Sequence, residues 1–432
     1  MSPPLTTTPL IVAKFGGTSL ANPQRVRDMA ARLVASHAQG ARVVAVVSAM
    51  GSSTDELLKL AKSVNENPPA RELDRLLATG EQISMAVMAM AVEALGVNAL
   101  SLSGRQAGIL TTGAFNKARI ADIHADRLMK ALDKGRIVIV AGFQGITTDG
   151  DITTLGRGGS DTTAVAIAAA IKADVCEIYS DVEGVYTADP RVVPHACKLD
   201  TISYDEMLEL AAAGSGVLQM RSVEVARNFG VVIHCRSAFS DKPGTLVKET
   251  STMEQAIVSG IAYDNSEAKI TIRAVPDRVG IAAEVFGRVA EANVNVDMIV
   301  QNISEHGTTD ISFTTPISEL RRLKPVLAAT VGRLGAREYI IDETISKVSL
   351  VGAGMKSNPG IAARVFRVLA DSGVNINMIS TSAIRISVVI EGDKTEQVLQ
   401  SLHTAFGLDS DELFEETQLS GDELAAKRAK GR

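Results

Sequence analysis

Two short stretches set a cation beside bare backbone amides. In VAKFGGTSL, Lys14 ends an apolar run and is followed by Gly16, Gly17, Thr18 and Ser19. Glycines allow close backbone approach, so successive N–H groups can cradle phosphate oxygens while the lysine supplies a mobile charge. Because Lys14 precedes the glycines, this is not the GxxxxGK[ST] loop of P-loop NTPases. In LGRGGSDTTA, Arg157, Gly158, Gly159, Ser160 and Asp161 gather where a helix is expected to begin. A guanidinium grips a carboxylate in bidentate fashion, and the free N–H groups of a new helix bind a second anion. Asp161 then has a use in organising donors around a transferring phosphoryl group. The combination suits phosphoryl transfer onto a carboxylate. Simpler readings stand beside it: a bare turn at Gly16–Gly17, and Ser160 or Asp161 as an ordinary N-cap.

Two further stretches could complete such a site. In VVSAMGSSTDEL a strand ends at Ser48, Gly51 breaks the chain, and Ser53 to Glu56 fits a capping box. The hydroxyls there fall at the C-terminal end of a strand, where open α/β sheets bind ligands. Glu81, in ATGEQIS, lies at a glycine-marked break near Gly80 in a helical stretch from Arg71 to Leu95. A solvated glutamate is the simple reading there.

The elements that must position these residues are short Val- and Ile-rich runs alternating with helical patterns. LIVAKF, RVVAVVS, NALSLS, RIVIVAGF, VCEIYSD and VVIHCRS are mostly continuous apolar runs, as expected of strands buried on both faces of a sheet. The stretch predicts an α/β domain over residues 1–250, a three-layer sandwich with a mainly parallel central sheet. A repeat follows. GIAAEVFGRVAEANVNVDMI (Gly280–Ile299) and GIAARVFRVLADSGVNINMI (Gly360–Ile379) are offset by 80 residues and identical at 11 of 20 positions. Around each copy the pattern reads β-α-β-β-α-β, the ferredoxin-like plan. In the first, strands are expected near Ile270, Asn295, Thr309 and Arg337, with helices at Ile281–Ala292 and Ser318–Leu334. The two modules are assigned to residues 264–342 and 343–421, with a spare strand at 256–263 available to the second sheet and a polar tail at 422–432.

Composition narrows the partners. A net charge of −6, no Trp and 3% aromatics argue against nucleic-acid binding. Cys176, Cys197 and Cys235 are widely spaced, which suits a reducing cytoplasm. The start MSPPLTTT lacks signal-peptide features, no apolar run reaches membrane length, and no ligand spacing suggests a structural metal.

In order and spacing, KFGGTS, VVSAMG, TGE, TTLGRGGSDTTA, EIYSDVEGVYTADPR and RSVE resemble the motifs of the aspartate kinases, members of the amino-acid kinase superfamily. The tandem repeat looks like their pair of ACT modules, so the likeness spans Leu10 to about Leu419. It implies transfer of the ATP γ-phosphoryl group to the side-chain carboxylate of L-aspartate, giving 4-phospho-L-aspartate, the first step towards lysine, threonine, methionine and isoleucine. By motif, Lys14 stabilises the transferring group and Asp161 orients Lys14. Ser48, Thr54, Glu81 and Arg157 bind aspartate, with Arg157 on a carboxylate and Glu81 on the ammonium. Gly16, Gly17, Gly158, Gly159 and Ser160 line the phosphate path. Tyr179, Ser180 and Val185, Tyr186, Thr187, Ala188, Asp189 and Pro190 resemble the nucleotide-binding segment. Mg²⁺ is expected to arrive with ATP. Two positions depart from the pattern: Gly216 replaces a lysine that approaches the nucleotide in many relatives, and Ala383 a frequent glutamate.

Glutamate 5-kinase or acetylglutamate kinase, and a non-catalytic amino-acid sensor, are the competing readings. The tandem ACT pair disfavours the first two, and the joint presence of Lys14, Arg157 and Asp161 the third. A fusion to homoserine dehydrogenase is not expected from the length. Each repeat also sets a glycine, Gly280 or Gly360, before a helix whose N–H groups could bind an effector carboxylate. Asp277, Ile281, Ala282 and Gln301 in the first copy, and Asn358 in the second, complete the candidate effector set for threonine or lysine. ACT pairing across chains predicts a dimer, or an α₂β₂ assembly if translation also starts at Met253.

Overall fold

The computed structural model describes residues 8–249, 257–301, 307–355, 358 and 360–409. Met253 and the 422–432 tail lie outside the described residues. The chain divides into two compact units, one of Met1–Val185, Lys198–Ala212 and Gly216–Thr252, the other of Tyr186–Cys197, Ala213–Ser215 and Met253–Arg432.

The first unit is built on an eight-stranded sheet. Its strands are β1 (Leu10–Phe15), β2 (Arg42–Val47), β3 (Ala99–Leu102), β4 (Ile137–Ala141), β5 (Val175–Ser180), β6 (Thr201–Ile202), β7 (Ile233–Ser237) and β8 (Thr245–Val247), in the order β6-β8-β7-β5-β1-β2-β4-β3. Only β7 and β8 pair antiparallel. The near-continuous apolar strands follow from burial on both faces: Val43 to Val47 of β2 are each at most 1% exposed. Burying one such valine stabilises by about 1.5–3 kcal/mol. Odd positions of β1 and β2, such as Ala13, Phe15, Ala45 and Val47, pack with Met29, Ala30 and Leu33 of the helix Pro23–Ala38. Even positions face the other way, where the helix Gly159–Ile171 packs on β1 and β2. The last two strands of a small four-stranded sheet (109–111, 120–123, 144–146 and 152–154) carry the chain from β4 to that helix.

Several local expectations change. The helical stretch from Arg71 is two helices, Ala70–Leu77 and Thr79–Glu93, meeting at Ala78. The helix after Gly51 spans Ser53–Val64 with Ser52 at its N-cap, so Ser53 and Glu56 form no capping box. Instead the Ser52 hydroxyl donates to Glu56 Oε1 at 2.6 Å, and Ser53 Oγ to the Met50 carbonyl. The helix Gly159–Ile171 is capped by Gly158. Neither Ser160 nor Asp161 is its N-cap, because the chain turns two residues before Ser160, through a glycine at φ +71.

In the second unit each repeat forms its own four-stranded antiparallel sheet. The first has the order 299–301, 308–316, 267–276, 338–342, with helices Ile281–Glu291 and Leu320–Leu334. The second has the order 378–381, 385–391, 345–351, 260–264, with helices Ile361–Asp371 and Thr395–Ala405. The edge place held by the fourth strand in the first repeat is thus taken in the second by Gly260–Asp264, from before either repeat, with Gly260 opposite Val351. Lys347, 1% exposed, bridges the repeats, lying 2.7 Å from Glu267 Oε1 and 2.6 Å from Asp297 Oδ2. Glu267 and Lys347 stand at equivalent positions, 80 residues apart.

Candidate active site

Lys14 lies on β1 between Val46 of β2 and Ile178 of β5. Strand alternation turns it away from Phe15 and towards the helix Gly159–Ile171. There its Nζ sits 2.5 Å from Asp161 Oδ1, with both side chains 11% exposed. Asp161 occupies the first helical turn but caps nothing, and among the described residues no side chain caps the first-turn N–H groups. The first-turn N–H groups and the helix dipole therefore lie beside a lysine whose counter-charge is already fixed.

The glycines permit this closeness. A Cβ on Gly158 would fall 2.1 Å from Gln219 Cγ. One on Gly17 would meet the carbonyl oxygens of Ala49 and Gly51 at 3.0 Å. The turn after β1 is therefore pressed against the loop after β2, and the Gly51 amide donates to Gly17 O at 3.0 Å. One on Gly16 would lie 3.4 Å from Lys14 Nζ and 3.8 Å from the Tyr179 carbonyl, so Gly16 borders the lysine directly.

Glu81 is not a solvated glutamate. It is 3% exposed, and its Oε1 accepts the Ala49 amide at 3.0 Å. That places the carboxylate at the end of β2, next to Ser48 and the Gly17 contact. Burial raises its pKa to about 7 against the pull of the Ala49 amide. Its Oε2 has no hydrogen-bond partner among the described residues. Ser48 and Thr54 are partly exposed at the same end of the sheet, Thr54 on the first turn of Ser53–Val64. Arg157 is exposed with no ion pair among the described residues, and Ser160 is buried at 7%.

Other expected residues are engaged differently. The Tyr179 side chain shares the Phe15 face, stacked on that ring at 5.1 Å, and its hydroxyl donates to Glu177 Oε2 at 2.9 Å. Only its backbone borders Gly16. Ser180 closes β5, its carbonyl accepting the Ala238 amide. The Val185 amide donates to Thr245 Oγ1. Tyr186 to Pro190 belong to the second unit, where Thr187 and Ala188 are buried at 5% and 4% and Asp189 pairs with Arg191. Gly216 adopts φ +69, which its glycine tolerates.

Three positioning residues escaped the sequence reading. Asp74, fully buried, accepts the Asn116 and Thr154 amides and the Thr154 hydroxyl, fixing the strand that leads to Arg157. Arg221 donates to the carbonyls of Leu155 and Ala118 at 3.0 and 2.9 Å. Phe143, at φ +66, turns the chain against Gly159. The RSVE motif contains Arg221; nothing local marks Asp74 or Phe143.

The candidate effector residues lie in the second unit. Gly280 and Gly360, at φ +91 and +103, each precede a helix with no side-chain cap. Asp277, Gln301 and Ala383 are exposed and Ala282 partly so. Ile281 is buried in the core, and Asn358 Nδ2 turns back onto Gly354 O at 2.9 Å.

Comparison with known proteins places the chain in a family. The amino acid kinase family matches residues 9–237, and ACT domains match 270–331 and 348–406. Aspartokinase of Mycolicibacterium smegmatis is 54% identical over 93% of this chain and 97% of its own length. That of Corynebacterium glutamicum is 53% identical over 92% and 96%. The crystal structure of E. coli aspartokinase III in complex with aspartate and ADP (R-state) superposes with a TM-score of 0.78 at 26% identity, covering 92% of this chain and 99% of that one. The same enzyme with lysine and aspartate (T-state) gives 0.73 at 26%, covering 92% and 99%. An amino acid kinase domain followed by two ACT domains thus matches these relatives along nearly its whole length, and the chain belongs to the aspartokinase family.

Proposed function

We propose that Lys14, Asp161, Glu81 and Arg157 carry the aspartokinase reaction in this chain. The observation that carries the reading is the Lys14–Asp161 pair, 2.5 Å apart at a helix start that no side chain caps. Arg157 takes the α-carboxylate of aspartate as a planar fork, and the unpartnered Glu81 Oε2 takes its ammonium, with Ser48 and Thr54 adding hydroxyls. The free side-chain carboxylate then attacks the γ-phosphorus as the bond to the ADP oxygen breaks. The nucleophile is already an anion, so no proton need move. Lys14 and the amides of Gly16, Gly17, Gly158 and Ser160 neutralise charge on the transferring oxygens, with Gly159 lining the path through its own turn, its amide held by Gly156 O, while Asp161 keeps Lys14 in place. Phosphoryl transfer draws mainly on such positioning and charge neutralisation. Mg²⁺ is assigned to the ATP phosphates, since it keeps much of its hydration and binds few protein carboxylates. Tyr179 and Ser180 through their backbone, with Val185 and Tyr186 to Pro190, are assigned to the nucleotide.

Arg157→Lys tests the assignment of roles. A point charge cannot replace a planar fork, so KM for aspartate should rise far more than KM for ATP. Equal rises would move Arg157 to the phosphate path.

The ACT modules supply feedback control. An effector carboxylate binds at the helix start after Gly280 and its ammonium near Asp277 and Gln301, with Gly360 and Asn358 as the weaker counterpart. Lysine is favoured by its presence in the T-state structure of the E. coli enzyme, and threonine fits the same contacts. Self-association through the ACT sheets and a cytoplasmic setting complete the reading. Among the described residues, no helix is long and apolar enough to cross a membrane.

A further inference from the structure

Thr187 is held at every polar atom. Its amide donates to Cys197 O at 2.8 Å and its carbonyl accepts the Ile261 amide at 2.7 Å. Its hydroxyl meets the Cys197 amide at 3.0 Å, the Leu408 carbonyl at 3.2 Å and His403 Nε2 at 2.9 Å. A hydroxyl has one proton and two acceptor sites. The Leu408 carbonyl can only accept and the Cys197 amide can only donate. All partners are satisfied when His403 donates its Nε2–H into the remaining lone pair. His403 is 1% exposed in the last turn of the helix Thr395–Ala405, and burial lowers its pKa, consistent with a neutral ring protonated on Nε2. From the same helix, Gln400 Nε2 donates to Val192 O at 3.0 Å. Ala188 and Val193 pack in one core with Leu399 and Leu402. A single helix of the second ACT module thus grips the loop at Thr187 and again at Val192.

We propose that His403 is a positioning residue for ATP: it fixes Thr187 and so the conformation of Tyr186 to Pro190, the segment assigned to the nucleotide. The inference rests on that assignment. An ACT helix thereby sets nucleotide affinity through the loop it holds, without touching the phosphates.

The test measures ATP and aspartate kinetics of the full chain. His403→Leu fills similar space without a donor, and should raise KM for ATP at least about fivefold, with kcat and KM for aspartate within about twofold. His403→Gln, whose amide can donate from a similar position, should restore KM for ATP to within about twofold of the parent. Thr187→Val should reproduce the His403→Leu effect, and the two combined should add little, because they remove one interaction. If His403→Leu and Thr187→Val lower Tm but leave KM for ATP unchanged, the contact is only structural and the proposal fails. Tyr186→Ala separates the two ways of failing. A rise in KM for ATP in that variant alone would overturn the role of His403. No rise in any of the three would overturn the nucleotide assignment itself, and His403's role with it.

Discussion

Lys14 Nζ and Asp161 Oδ1 lie 2.5 Å apart between the central strand and the first turn of the helix behind it. Asp161 makes no capping bond, so its buried charge serves the lysine rather than the helix. Asp161→Asn should lower kcat at least about 100-fold, as loss of a preorganised electrostatic partner does. Steady-state kinetics beside thermal unfolding checks this. Lost stability with kcat retained would make the pair structural.

Glu81 ties substrate affinity to pH. Its ionised form is the one that holds an ammonium, and burial raises its pKa to about 7. KM for aspartate should therefore fall as pH rises through about 7, and a flat KM across that range would remove Glu81 from the ammonium site. Stability runs the opposite way. Between about 4.5 and 7 the folded state holds the extra proton, so this group's contribution falls as pH rises through that window and is level above it. The loss is about 3 kcal/mol, from about 1.4 kcal/mol per pKa unit. Glu81→Gln should thus unfold at higher denaturant at alkaline pH while binding aspartate poorly.

Asp277→Ala should raise the concentration of lysine or threonine needed for half-inhibition at least about tenfold, the scale of one lost charged contact. Uninhibited kcat should stay nearly unchanged, because Asp277 is exposed on the second unit and Lys14 belongs to the first. Inhibition curves with each amino acid, singly and combined, decide it. If neither inhibits the parent at millimolar levels, the effector assignment fails.

Lys347 is the buried cation of the regulatory unit. Burial lowers its pKa, but Glu267 and Asp297 outweigh that and raise it overall. Lys347→Met would strand Glu267, itself 6% exposed, and should cost about 3–5 kcal/mol. Replacing Glu267 by leucine in the same chain should recover much of that loss. Denaturant unfolding of both variants measures the difference, and no loss in Lys347→Met would mean the triad contributes nothing.

Much of the site could be read locally. Lys14 with Gly16 and Gly17, and Arg157 through Asp161, are contiguous stretches whose chemistry depends on a strand ending and a helix starting. The 80-residue repeat exposed both ACT modules for the same reason. What escaped depended on distant partners. Without the family resemblance Glu81 looks solvated, because the amide that orients it, Ala49, is 32 residues away. Asp74 and Arg221 hold the Arg157 loop through bonds spanning 80 and 66 residues. β-Strand alternation also turns the Tyr179 ring to the Phe15 face, leaving only its backbone towards Gly16. The spare strand expected at 256–263, by contrast, lies at the edge of the second module's sheet as Gly260–Asp264.

The most direct measurement is initial-rate ADP release with ATP and one acceptor at a time: aspartate, glutamate or N-acetylglutamate, with hydroxylamine present to trap any acyl phosphate. The account predicts turnover and a trapped hydroxamate with aspartate, at a kcat/KM at least about 100-fold above either alternative, since buried polar groups built for one substrate are left unpaired by another. Equal or greater turnover with glutamate or N-acetylglutamate, or ADP release without a trapped aspartyl hydroxamate, would contradict it.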